Sequence, residues 1–176
     1  MHRRTFLLAL TAPLVACGGA ASPSSGDVRA AERVGLTMGS SLKVRVFTSN
    51  PAEAEKAFDA VFAEFDRLDA LLSVWKPGSD VLRINGTAGV EPVTVSEDTM
   101  AVLKIAKEVS EWTDGTFDVT FGALADIWKF DHDQDNSVPT RAQIDARRPL
   151  IDYRAIQIDE QGHTVLLERH GMKSHL

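Results

Sequence analysis

Leu42-Lys43-Val44-Arg45-Val46, followed closely by Asn50-Pro51, is the stretch that decides the fold class. Leu42, Val44 and Val46 alternate with Lys43 and Arg45, the period-two pattern of a strand with one face buried. Asn50 then supplies a side-chain oxygen for helix capping, and Pro51 suits the first helical position, where its missing N–H costs nothing. Ala54, Phe58, Val61, Phe65, Leu68 and Leu72 follow at spacings of three and four, which predicts one long amphipathic helix. Such a stripe must lie on a sheet or another helix, so Phe58, Phe62 and Phe65 are expected in the core.

Downstream, Ser73 to Ser79 leaves the helix through turn residues, and Asn85-Gly86 reads as a further tight turn. Ser96 caps a second helix with Glu97 and Asp98 in its first turn and Met100, Leu103, Ala106, Val109 and Trp112 on its buried stripe. Asp114-Gly115 ends it. Thr140 and Gln143 fit a capping box for a shorter helix, and Ala155–Asp159 with Thr164–Glu168 flank Gln161-Gly162 as a hairpin. Strands and helices without regular alternation predict an α+β fold, a mixed sheet with packed helices, rather than a doubly wound parallel sheet.

Upstream, Arg3-Arg4 precede an apolar run from Phe6 to Ala16 that is too short for a comfortable membrane span and reads as a signal peptide over residues 1–16. Leu14-Val15-Ala16-Cys17-Gly18 is the pattern of a bacterial lipoprotein cleavage site, so Cys17 is the expected lipidated residue, the alternative being a lone buried thiol. A diacylglycerol plus an N-acyl chain suffices for stable anchoring, which implies a location in the bacterial cell envelope on the periplasmic or extracytoplasmic side of a membrane. Arg3-Arg4 leaves both the general and the twin-arginine export routes open. Residues 17–32, rich in Gly, Ala and Ser, read as a flexible tether, with the folded body expected over 33–176.

The 176 residues carry a net charge of −6, which argues against non-specific nucleic-acid binding, and the single cysteine rules out an internal disulfide. No phosphate-loop lysine motif, dinucleotide fingerprint, nucleophile elbow or zinc-ligand cluster is present. Asp131 to Asp135 begins like a calcium loop, but Asn136 stands where glycine is needed and Ala142 where glutamate is, so a solvated acidic loop is expected.

Four segments in fixed order carry a resemblance: Met38-Gly39-Ser40; Leu72-Ser73-Val74-Trp75 with Ser79 to Asn85; Gly115-Thr116-Phe117-Asp118-Val119-Thr120; and Trp128-Lys129-Phe130. With Pro149 to Tyr153 and Arg169 to Lys173, they resemble the FAD:protein FMN transferases of the ApbE family, a T-fold-related domain. The resemblance implies that a Thr or Ser hydroxyl of a target flavoprotein attacks the FMN-side phosphorus of FAD, releasing AMP, with Mg2+ as the expected cation. It implies FAD contacts for Met38, Trp75, Thr116, Phe117 and Asp118. On their own, Met38 suits a gap in a core, Trp75 a surface anchor before Pro77, and Asp118 a turn cap. Trp75 stands where many relatives carry tyrosine.

Family members continue from Gly-Met-Lys into an aspartate and a glycine-rich stretch, whereas here Gly171-Met172-Lys173 is followed by Ser174-His175-Leu176. The chain therefore reads as a truncated, N-terminal part that lacks the magnesium ligands. No catalytic residue is assigned within it, and the isolated chain is expected not to transfer FMN. The competing readings are a non-catalytic lipid-anchored flavin-binding protein and a structural envelope lipoprotein.

Overall fold

The computed structural model describes residues 27–129 and 134–176. The expected signal peptide, Cys17, most of the tether, and Phe130 to Asp133 lie outside the described residues. Strands β1 (Arg29–Thr37) and β2 (Ser40–Thr48) form an antiparallel ribbon closed by Met38 and Gly39. Both turn residues have positive φ, 48° and 72°, the hairpin geometry whose twist matches that of the flanking strands. The body thus begins at Arg29, earlier than the expected boundary at 33. Ala31, Arg33 and Gly35 offer weak hydrophobic alternation, so the strand is specified by its pairing with β2 more than by its own sequence.

Helix α1 (Pro51–Leu72) packs on this ribbon. Asn50 Oδ1 accepts the Ala52 N–H at 3.1 Å, as the cap predicts. Ala54 and Phe58 are buried, and the Arg33 guanidinium lies 5.1 Å from the Phe58 ring centroid while pairing with Glu55 and Asp59. Phe62 and Phe65 are only half-buried. The ribbon they pack on is only two strands wide, and Phe62 lies against Gly35 of β1, where a Cβ would stand 2.5 Å from its ring.

The main core lies further along the chain. Helix α2 (Asp80–Gly86) contributes Ile84, and α3 (Glu97–Trp112) contributes Met100, Leu103 and Ala106. They meet a three-stranded antiparallel sheet in the order β3 (Val93–Thr94), β5 (Thr164–Leu167), β4 (Ile156–Asp159). Each fully buried Leu or Ile here contributes roughly 1.5–3 kcal/mol. Helix α4 (Arg141–Arg147) starts with the expected capping box between Thr140 and Gln143.

The α+β class holds, with the strands divided between two small sheets and parallel pairing among the described residues confined to the bridge Phe121–Lys173. Two local expectations are corrected. Asn85-Gly86 is not a free-standing turn but the last residues of α2, a helix too short to show a periodic stripe. Trp112 is 79% exposed, because the buried stripe of α3 runs through Thr99, Met100, Leu103, Ala106 and Ser110 and Trp112 falls on the opposite face of the helix. None of the described helices is long and apolar enough to cross a membrane.

Candidate functional site

Where α1 ends, the chain makes a turn that is pinned at both ends. Ser73 Oγ accepts the Trp75 N–H at 3.1 Å, and Ser79 Oγ donates to the Ser73 carbonyl at 2.7 Å while capping α2. Trp75 projects from this turn, 61% exposed, over a cleft of about 500 Å³. Leu82 and Asn85 of α2 form one wall. A further part of the lining comes from Phe121, Gly122, Leu124 and Ala125 at the short 3-10 turn Gly122–Leu124, continuing to Asp126, Trp128 and Lys129. Lys173 and His175 complete the rim, and the His175 ring stands at 88° to Phe121 with centroids 5.3 Å apart.

The cleft combines aromatic faces with ammonium groups. Lys173 pairs with Asp126, which also lies 3.6 Å from Arg147, and Lys129 pairs with Asp135 at 3.0 Å. Asp135 is held below the usual carboxylate range by the hydroxyl and N–H of Ser137 and by Lys129. Planar aromatic surface with cations at one rim suits a flat, anionic ligand such as a nucleotide.

Asp118 does something different. Its Oδ1 accepts the Thr120 N–H at 2.8 Å and the Thr120 hydroxyl at 2.6 Å, and its Oδ2 accepts the Tyr153 N–H at 2.8 Å. Thr120 Oγ1 in turn accepts the Asp152 N–H at 2.8 Å. This network ties the segment after α3 to the segment before β4. Asp118 borders a second, shallower depression with Asp152, Arg154 and Arg169. Trp75 and Asp118, both expected to contact FAD, therefore line separate depressions, and the Asp118 carboxylate is turned toward backbone donors. Thr116 and Phe117 are exposed beside it, and Met38 is exposed in the β1–β2 turn, outside both depressions. Of the five expected flavin contacts, the larger cleft receives Trp75 alone.

Sequence reasoning did not assign Asn85, Phe121, Lys173 or His175 to the site. Asn85, Trp128, Lys129 and Lys173 all lie in segments that carry the resemblance, which was the available signal. Among the described residues, no three His, Cys, Asp or Glu side chains come together as a metal site. The described residues thus do not fit a magnesium centre, and no chemical step is derived through one.

Comparison with known proteins agrees with the resemblance. The FAD:protein FMN transferase of Klebsiella pneumoniae is 30% identical over 167 residues, which cover 94% of this chain and 48% of that protein. That of Salmonella typhimurium is 32% identical over 165 residues, 93% and 47%. The crystal structure of the ApbE protein from Thermotoga maritima superposes with a TM-score of 0.76 at 28% identity, covering 84% of this chain and 47% of that one. For the apo flavinyl transferase ApbE of Pseudomonas stutzeri the values are 0.73, 27%, 84% and 46%. The chain spans about half the length of these relatives. The model of the ApbE family matches residues 38–176, the segment that builds both depressions, and the chain belongs to that family.

Proposed function

We propose that this chain binds FAD in the cleft between Trp75 and Lys173 and serves the transfer of FMN to a hydroxyl of a target flavoprotein. The observation that carries the reading is a cleft lined by the aromatic rings of Trp75, Trp128 and Phe121 together with Lys129 and Lys173. The relatives named FAD:protein FMN transferase support it. In the proposed reaction a Thr or Ser oxygen of the target forms a phosphoester bond to the FMN-side phosphorus. The bond from that phosphorus to the bridging oxygen breaks, AMP leaves, and the hydroxyl proton is released. This chain's part is positioning: stacking fixes a ring, and lysine ammonium groups offset phosphate charge.

Titration of the 176-residue chain with FAD, read by quenching of flavin fluorescence, should saturate. Trp75→Ala should weaken binding about tenfold, the scale of one lost base–aromatic stack. Absence of saturable binding, or equal affinity in Trp75→Ala, would overturn the reading.

The envelope location belongs to the same proposal, supported by Leu14-Val15-Ala16-Cys17 after an apolar run. Mass spectrometry of membrane-extracted protein should find the lipid on Cys17. A Cys17→Ser protein should move to the soluble fraction, and equal membrane retention would refute the anchor.

A further inference from the structure

We infer that Asn85 is a positioning residue for the cleft: its carboxamide clamps Ser174 and so presents Lys173 and His175 to the ligand. The inference rests on the flavin reading of the cleft, and its test separates the two.

Residues Met172 to His175 show the alternation of an extended segment. Met172 and Ser174 are 0% and 1% exposed, whereas Lys173 and His175 face the cleft. One side of this segment is held by residues 119–122. His175 N–H donates to the Val119 carbonyl at 2.9 Å, and Phe121 bridges Lys173 in parallel. Gly122 packs so closely that a Cβ there would stand 2.7 Å from the Lys173 carbonyl oxygen, so this wall has no slack.

The other side has Asn85. Ser174 N–H donates to Asn85 Oδ1 at 2.7 Å, Asn85 Nδ2 donates to the Ser174 carbonyl at 2.9 Å, and Ser174 Oγ donates to Oδ1 at 3.1 Å. A primary amide carries the donor and acceptor of a peptide group on one planar unit, so Asn85 closes the same two-bond ring that a neighbouring strand would. Aspartate lacks the donor, and glutamine would place the amide one methylene too far.

Asn85 stands on α2, whose cap Ser79 is tied to the Ser73 carbonyl, and Ser73 holds the Trp75 N–H. One hydrogen-bonded unit therefore carries both Trp75 and the clamp. Asn85 sets the separation between Trp75 and the Lys173 ammonium, which Asp126 holds until an anionic ligand competes for it.

The test uses the full chain with FAD and with riboflavin, which has the ring but no phosphate. If Asn85 acts through Lys173, Asn85→Ala should weaken FAD about tenfold and leave riboflavin unchanged, and Asn85→Asp should behave likewise. Lys173→Ala should also weaken FAD, and the double variant Asn85→Ala, Lys173→Ala should be no weaker than Lys173→Ala alone. A merely structural Asn85 would weaken both ligands equally, and additive losses in the double variant would also overturn the inference. Independently of any ligand, the His175 imidazole resonances, displaced by the Phe121 ring in the wild type, should move toward unstructured values in Asn85→Ala and stay in place in Ser174→Ala, which keeps the amide ring. Unchanged His175 resonances in Asn85→Ala would overturn the inference. If the wild type binds neither flavin while these resonances move as expected, the flavin reading fails and the clamp stands.

Discussion

Asp80→Ala is expected to destabilise the chain by about 3 kcal/mol, roughly 10 °C in midpoint for a chain of this size. Asp80 is 3% exposed at the first position of α2. Its Oδ2 accepts the Ser96 N–H at 2.8 Å and the Thr99 hydroxyl at 2.8 Å, and its Oδ1 accepts from Arg83. It thereby joins the start of α2 to the cap of α3. Removing it leaves a buried hydroxyl and an N–H without their acceptor, each costing about 1–3 kcal/mol, while the half-exposed Arg83 returns to water. Asp80→Asn should recover much of the loss, because its amide oxygen can stand in for Oδ2 as acceptor for the Ser96 N–H and the Thr99 hydroxyl, leaving the N–H2 toward the half-exposed Arg83 alone.

The same site fixes a sign for the pH dependence. Burial pushes the Asp80 carboxyl up, but the N–H and hydroxyl of Ser96, with Thr99 and Arg83, together outweigh it and hold the carboxyl below its ordinary value. A group depressed in the folded state contributes its full stabilisation above the unfolded pKa, about 4, and loses it as pH falls through the folded value. Urea unfolding should show the gap between wild type and Asp80→Ala in full at pH 7 and narrowed below about pH 4. A gap that is constant or widens toward acid would contradict this assignment.

Asn50, Ser96 and Thr140 announced their helices because a cap's partner lies two or three residues away. Phe58 and Leu103 fell on stripes whose period shows within a few turns. Asp118 was legible as a polar residue in a motif, but its orientation is set by the Tyr153 N–H, 35 positions later. Asn85 read as a turn because Asn-Gly favours one locally, whereas its partner Ser174 lies 89 positions away. The turn that carries Trp75 was legible, since it depends on Ser73 and Ser79 nearby. The portion of the site built by local hydrogen bonds was readable, and the portion built by chain return was not.

Chain return also sets the second large effect, at Gly89. Its φ is +75°, and its N–H donates to the Leu167 carbonyl at 2.7 Å, so the backbone there cannot shift without breaking the link to β5. A Cβ at this position would stand 2.3 Å from His170 N and 2.7 Å from His170 Cα. These are backbone atoms, which cannot rotate aside as a flexible side chain would. Gly89→Ala therefore adds left-handed strain of about 1–2 kcal/mol to an overpacking cost of about 1–3 kcal/mol, a total near 3 kcal/mol. The segment pushed away, Arg169 to Gly171, leads directly into Met172 and Lys173, so flavin affinity should fall along with stability. Gly86→Ala is the matched control. It ends α2, no atom lies within 4 Å of its added Cβ, and its φ is not positive, so alanine there should be neutral or stabilising by up to about 1 kcal/mol. Urea midpoints for the two variants decide the matter. A Gly89→Ala chain as stable as Gly86→Ala would mean that the 169–171 strap is not packed against the end of α2 as described.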